Sequence, residues 1–214
     1  MTVAERTLIV DYDGTITEDD VLDRVVVEFA HDPQRVVLDG SIDEQRLTLH
    51  DVLRREYVEV RAARDEVIAW VLENARVRAG FHELVAQARH EGWSLVILSS
   101  GFRTLIEPVL EREGLTELTL IANDVMPKPD GWVVSFLDES LCPVCGEACK
   151  RRTLAALEPL GEVIYIGDGY SDRCAAGAAD RVFARSGLAD YLAARRTPFD
   201  PFETFHDVVA ALRP

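Results

Sequence analysis

Downstream of Gly80 the chain alternates short apolar runs with amphipathic stretches, and this alternation restricts the fold more than any other property of the sequence. FHELVAQARHEG places apolar residues at helical spacing, WSLVILS is a continuous apolar run, and FRTLIEPVLEREG is helical again. ELTLIAN and WVVSF read as strands on either side of a PDG turn, and KRRTLAALEPLG, EVIYIGD, SDRCAAGAA and RVFA continue the alternation. Two helical stretches near SGLADYLAARR and PFETFHDVVAALR follow. Short apolar runs without alternation suit strands buried on both faces, and helices between them supply the crossovers that parallel strands need. TLIV at residues 7–10 runs into the polar loop DYDGT in the same manner. The expected fold class is α/β, a doubly wound (Rossmann-like), mostly parallel sheet.

The alternation is interrupted once. From Thr17 to about Asn74 there is no convincing strand: VLDRVVVEFA and VIAWVLENA carry helical spacing, and SIDE offers a capping box from Ser41 to Glu44. Residues 17–79 are therefore expected to form an all-helical cap inserted after the first strand's loop, and residues 1–16 and 80–214 the α/β core. A chain of 214 residues suits one sizeable core with a smaller insertion.

Thirty-eight acidic residues against 23 lysines and arginines give a net charge of −15. That balance repels phosphate backbones and anionic bilayers, so neither a nucleic acid nor a membrane is an expected partner. The first residues lack the apolar run of a signal peptide, and no stretch approaches a membrane span; a soluble, cytoplasmic protein is expected. An acidic protein that handles an anionic substrate does so through a metal ion and a few placed cations. Lys128 and Lys150 are the only lysines. Lys128 sits in the turn MPKPDG and reads as an exposed loop residue, whereas Lys150 opens a predicted helix.

Ligands of an open parallel sheet bind beyond the carboxyl ends of its strands, and three predicted strands end in polar residues. The first ends in Asp11-Tyr12-Asp13-Gly14-Thr15, the second in Ser99-Ser100-Gly101, and EVIYIG in Asp168-Gly169-Tyr170-Ser171-Asp172. Asp11 and Asp13, two apart on extended chain, project to the same side and need compensation. Asp168 and Asp172 stand at a predicted helix start, where capping of backbone donors is the plain structural explanation. Four carboxylates carry about −4 and a phosphate ester roughly −2 more, which calls for Mg²⁺ and at least one basic side chain. Ser99, with the amides of Ser100 and Gly101 at a predicted helix start, offers an anion cradle, and Lys150 the compact cation.

DYDGT, SSG, the downstream lysine and GDGYSD, in this order, resemble the four motifs of the haloacid dehalogenase superfamily. The resemblance implies Asp11 as nucleophile, Asp13 as general acid and base, Ser99 and Lys150 as phosphoryl holders, and Mg²⁺ bound by Asp11, the Asp13 carbonyl and Asp168, with Asp172 as ligand or support. Dehalogenases of the superfamily lack the second acid, so Asp13 implies phosphoryl chemistry on a small phosphorylated metabolite. The helical insertion resembles the phosphoserine phosphatase branch, but Asp20 stands where those enzymes carry a glutamate that reads the substrate. DGWVVSF, the cysteine cluster ending in CK, and GDGYSDRCAAGAADRVFAR are more similar to the 2-hydroxy-3-keto-5-methylthiopentenyl-1-phosphate phosphatase group of methionine salvage. That group commonly shows Ser-Gly-Gly where this chain has Ser99-Ser100-Gly101. A phosphoserine phosphatase, a phosphotransferase or phosphomutase, and a non-catalytic zinc-binding regulator are the alternatives.

Cys142, Cys145 and Cys149 have the spacing of a partial zinc site without an evident fourth ligand nearby. Reduced loop thiols are the expectation, with zinc and a Cys142–Cys145 disulfide as alternatives, and Cys174 reads as a small buried residue. His31, His50, His82, His90 and His206 are isolated; His50 with Arg46, Arg54 and Arg55 could read a substrate from the cap. Trp70, Trp93 and Trp132 read as packing anchors.

Overall fold

The structure, a computed structural model, describes residues 5–32 and 47–213. The capping box expected at Ser41–Glu44 and the candidate Arg46 lie outside the described residues. Strand β1 (Arg6–Val10) sits at the middle of a seven-stranded sheet, between β2 (Ser94–Phe102) and β5 (Glu162–Gly167). Beyond β2 lie β3 (Thr119–Met126) and β4 (Val133–Ser135), and beyond β5 lie β6 (Arg181–Ala184) and β7 (Asp200–Pro201). Every pairing is parallel except β3 with β4, the two arms of the hairpin around the PDG turn.

Leu8, Ile9 and Val10 are fully buried, as a central parallel strand covered on both faces requires. Leu8 and Val10 face one apolar cluster and Ile9 the other, the period of two that a strand imposes. The larger cluster takes in α4 (Phe81–Glu91), α5 (Arg103–Arg112) and α9 (Phe205–Leu212). The smaller one is closed by α6 (Lys150–Ala156), α7 (Arg173–Ala176) and α8 (Ser186–Ala194).

Between β1 and α4 the described chain is helical, with α1 (Val21–Phe29), α2 (Leu49–Tyr57) and α3 (Arg64–Asn74). The two ends of this segment run side by side: Thr17 bridges Val77, Glu18 N donates to Arg76 O (2.9 Å) and Arg78 N to Ile16 O (2.7 Å). Val25, Tyr57 and Val71 of these helices pack into the same apolar cluster as Leu8 and Phe81. None of the helices among the described residues is long and apolar enough to cross a membrane.

Three details differ from the sequence reading. Ser99-Ser100-Gly101 is not a helix start: β2 continues through it to Phe102, with a register shift against β3, and α5 begins only at Arg103. The shift lets the chain stay extended while it re-aims side chains at the strand's end. The helix after Asp168 is split into a tight turn, Tyr170–Asp172, and the single turn of α7. The two-residue β7 is too short to leave a periodic signal.

Candidate active site

The carboxyl ends of β1, β2 and β5 meet at one edge, beside the point where the chain turns from one side of β1 to the other. Asp11 follows β1 directly, and its N–H still donates to Ile166 O of β5 (2.9 Å). The carboxylate is buried. Burial and the nearby Asp172 push its pKa well up, with the Lys150 ammonium pulling the other way. After Asp11 the chain makes a tight turn, Tyr12–Ile16, through Gly14 at φ +69°. A Cβ on Gly14 would stand 2.4 Å from Asp168 Oδ2, so the glycine is required by both backbone and space.

Lys150 is the pivot. The residue is 5% exposed, and its ammonium contacts Asp11 Oδ1 and, at 2.8 Å, Asp172 Oδ1. Burial alone would lower its pKa, but the two carboxylates outweigh it and hold the lysine charged. Asp172 is fully buried; Oδ1 also accepts from Tyr165 OH (2.7 Å), and Oδ2 accepts from the amides of Asp168 and Gly169 (3.0 Å each). Thr15 Oγ1 lies 2.8 Å from Asp168 Oδ1 and 3.4 Å from Asp11 Oδ2, and the shorter distance assigns its proton to Asp168. One oxygen from each of Asp11, Asp168 and Asp172 lies within 4.8 Å of the others. Asp168 is raised by burial and by Asp172, against Thr15 and Lys150.

Asp13 points to the other side of the turn, toward the helical segment and β2. Its Oδ1 accepts from Val21 N (3.2 Å), and Ser99 Oγ lies 3.4 Å from its Oδ2. Burial pushes this carboxyl up to about 7, against Lys150 and the Val21 amide. The two aspartates thus share a loop but not an environment: one faces the ammonium, the other a hydroxyl and an amide. Ser99 is 5% exposed and accepts from Gly101 N (2.8 Å), so within the cradle that amide is already engaged. Asn123 Nδ2 holds the Ser100 carbonyl (2.8 Å). A Cβ on Gly101 would come within 2.8 Å of Asp13 Oδ2. Asp20 is exposed and caps α1, accepting from Asp23 N through Oδ1 (3.0 Å).

Sequence reasoning missed the groups that hold this constellation. Arg78 is buried and donates to the carbonyls of Gly14 (2.8 Å), Thr15 (2.8 Å), Thr17 (2.9 Å) and Glu18 (3.0 Å). Arg185 adds a second bond to Gly14 O (2.8 Å). Two guanidinium groups therefore satisfy the carbonyls of a turn that no helix or ladder would satisfy. Cys174 is not an isolated packing residue either, because its sulfur joins those of Cys142, Cys145 and Cys149. The available signal was indirect: Cys149 adjoins Lys150, and Cys174 follows Asp172 by two residues. A cavity of about 620 Å³ opens beside the cradle, lined by Ser99, Ser100, Lys150, Asn123, Tyr170 and His50, a size suited to a small organic molecule.

A family model described as haloacid dehalogenase-like hydrolase matches residues 8–177. A 2-hydroxy-3-keto-5-methylthiopentenyl-1-phosphate phosphatase of Brevibacillus brevis is 31% identical over 211 residues, covering 96% of this chain and 94% of that protein. The enzyme of the same name from Geobacillus thermodenitrificans is 31% identical over 214 residues, covering 98% and 96%. Among solved structures, a substrate-bound phosphoserine phosphatase complex superposes with a TM-score of 0.74 at 14% identity, covering 98% of this chain and 99% of that one. At that identity the likeness shows a shared fold.

Proposed function

This chain belongs to the haloacid dehalogenase-like hydrolases, and on that premise we propose that it is a Mg²⁺-dependent phosphomonoesterase working through a phosphoryl group carried on Asp11. The observation that carries the proposal is the buried Lys150 ammonium seated against Asp11 Oδ1, with the Asp13 carboxyl, pushed up to about 7, on the other side of the same turn. A nucleophile, a cation for the phosphoryl oxygens and a proton donor are thereby supplied by one strand end and one helix start. Residues 17–79 are taken as the cap that covers the site.

The donor set fits Mg²⁺. Four carboxylates and one ammonium gather at one sheet edge, all four carboxylates offer oxygen, and burial together with the neighbouring carboxylates raises the pKa of Asp11, Asp13 and Asp168 against the pull of Lys150. Asp11, Asp168 and the Asp13 backbone carbonyl would hold the ion. Asp172 is assigned to Lys150 instead, because four donors already fill the roughly four lone-pair sites of its carboxylate. When bound, the ion neutralises phosphoryl charge as the new bond forms.

Chemistry at the chain's own atoms then takes two displacements. An Asp11 oxygen attacks phosphorus, the ester P–O bond breaks, and Asp13 gives its proton to the leaving alkoxide. Asp13, now a carboxylate, takes a proton from water as the water oxygen attacks phosphorus, and the P–O bond to Asp11 breaks to restore the nucleophile. Lys150 and Ser99 hold the phosphoryl oxygens through both steps. The Asp20 oxygen that does not cap α1 is free for a substrate-reading role.

For the substrate, the relatives at 31% identity favour the enol phosphate that their name specifies, 2-hydroxy-3-keto-5-methylthiopentenyl-1-phosphate, since the match spans nearly the whole of both chains. Phosphoserine is the second reading, favoured by the shared fold alone. The test is phosphate release, with Mg²⁺, from a panel of phosphate esters that includes both. Hydrolysis of the enol phosphate at a kcat/KM at least tenfold above phosphoserine supports the assignment; no release from any ester by purified, folded protein rejects the phosphatase reading.

A further inference from the structure

All four cysteines of the chain converge on one point. Cys142, Cys145 and Cys149 lie in the loop before α6, Cys174 reaches them from α7, and the four Sγ atoms all lie within 4.8 Å of one another. Cys142 and Cys174 are 3.9 Å apart at sulfur, and all four thiols are free. Sulfurs bound tetrahedrally at about 2.3 Å from zinc stand about 3.8 Å from each other, whereas a disulfide brings them to about 2.0 Å. Packing does not explain the convergence, since cysteines placed for packing are buried. Cys145 is exposed, and Cys149 and Cys174 are half-buried.

The backbone around the first pair is shaped for a ligand. In Cys142-Pro143-Val144-Cys145-Gly146 the chain folds back on itself: Gly146 N donates to Cys142 O and Cys142 N to Glu147 O (2.8 Å each). Gly146 takes φ +79°, and Val144 N points at Cys142 Sγ (3.4 Å). The turn thus sets two sulfurs on one side and aims an amide at one of them, the arrangement a metal-bound thiolate uses.

We propose that Cys142, Cys145, Cys149 and Cys174 bind one Zn²⁺ as a closed tetrathiolate site. Four Zn–S bonds form and four thiol protons pass to solvent. Soft sulfur donors separate this site from the oxygen-only carboxylate cluster, so the two ions do not compete. The position gives the zinc a structural task. Cys149 immediately precedes Lys150 and Cys174 follows Asp172 by two residues, so the ion ties together the two segments whose side chains form the 2.8 Å Lys150–Asp172 pair. Two further bonds cross the same seam: Arg151 Nη1 donates to Cys174 O (3.2 Å), and Tyr170 OH reaches Glu147 at 3.4 Å.

The test is metal content of the full chain, purified with a thiol reductant and without chelator. About one zinc per chain is expected, and replacement by Co²⁺ should give tetrahedral d–d bands with sulfur-to-cobalt charge transfer. Cys145→Ser, at an exposed position outside the phosphoryl site, should weaken zinc retention against a competing chelator by more than about tenfold. Wild-type zinc far below one per chain with no cobalt–thiolate spectrum would overturn the proposal. So would iron in place of zinc, or a Cys142–Cys145 disulfide that persists in the reductant. The wild-type measurement does not depend on a variant folding. None of these readouts involves turnover, so loss of the zinc site and loss of the phosphatase reading are separate results.

Discussion

At the scale of single residues, Asp11 and Lys150 touch each other yet should answer substitution in opposite ways. Burial and Asp172 raise the Asp11 pKa, which means the fold works against its charge; a neutral amide of the same shape removes that cost. Asp11→Asn is therefore expected to lose turnover by a factor on the order of 10⁴ or more while its Tm stays level or rises. Lys150→Met leaves two carboxylates buried without their cation and should cost about 3–5 kcal/mol of stability, with activity lost as well. Denaturant titration of both variants beside turnover assays checks the pair, and equal destabilisation would show that the ammonium compensates the Asp11 charge in full, against the expectation. Gly14→Ala puts a Cβ against Asp168 Oδ2, so it should raise the Mg²⁺ concentration needed for half-maximal activity several-fold; an unchanged Mg²⁺ titration would remove Asp168 from the ion's ligands. The polar residues that gather at the strand ends were legible because the carboxyl edge of a parallel sheet is where ligands bind. Arg78 and Arg185 were not, since nearly all the chain's basic residues are arginine and nothing local marks these two as holding carbonyls 60 to 171 residues away.

At the scale of elements, the alternation of apolar runs specified strands and helices well because the central strands are buried on both faces: Leu8, Ile9 and Val10 of β1 are all fully covered. Strand order, by contrast, depends on which helix crosses over which edge, information that no single run contains. The boundary at SSG was misread for a related reason, because a bulge that prolongs β2 to Phe102 depends on pairing with β3 and not on the local residues. Helix starts carry their own signal, and α9 offers a pH test of one. Asp207 accepts from Thr204 N (2.9 Å) and Glu203 N (3.0 Å), and these bonds hold its pKa below the ordinary carboxylate value. A carboxyl depressed in the fold stabilises above its unfolded pKa, about 3.9, and that contribution is lost as pH falls through the folded value. Asp207→Asn should therefore lower Tm at neutral pH, and the gap to wild type should close as the pH drops below about 4. A gap that stays constant across that range would exclude the charge as its cause.

At the scale of the whole molecule, the helical segment meets the β3–β4 hairpin along two seams of unequal strength. On one, Trp132 is 1% exposed, its backbone N donates to Tyr57 O (2.9 Å) and its Nε1 to Ala62 O (3.0 Å). On the other, His50 stacks on Phe136 at 3.6 Å, Arg54 lies 4.7 Å over the same ring, and Arg54 pairs with Glu139 at 2.7 Å. Arg54 and Glu139 are both well exposed, so their pair contributes about 0–1 kcal/mol, whereas truncating a buried tryptophan costs about 3–5 kcal/mol. On the proposed reading of residues 17–79 as a cap, the tryptophan seam is its fixed edge, and the histidine seam, whose His50 lines the cavity beside Ser99 and Lys150, is the weaker side. Burial and Arg54 lower the His50 pKa, which favours the neutral form of the stacked ring. Two substitutions separate the seams. Trp132→Ala should lower stability strongly, while His50→Ala should leave Tm nearly unchanged and raise KM for the preferred phosphate ester about tenfold, with kcat for a minimal aryl phosphate kept. That split is the mark of a group that binds the substrate's body without touching the reacting phosphorus. If His50→Ala instead lowered kcat equally for both esters, the seam would belong to the chemistry and not to recognition.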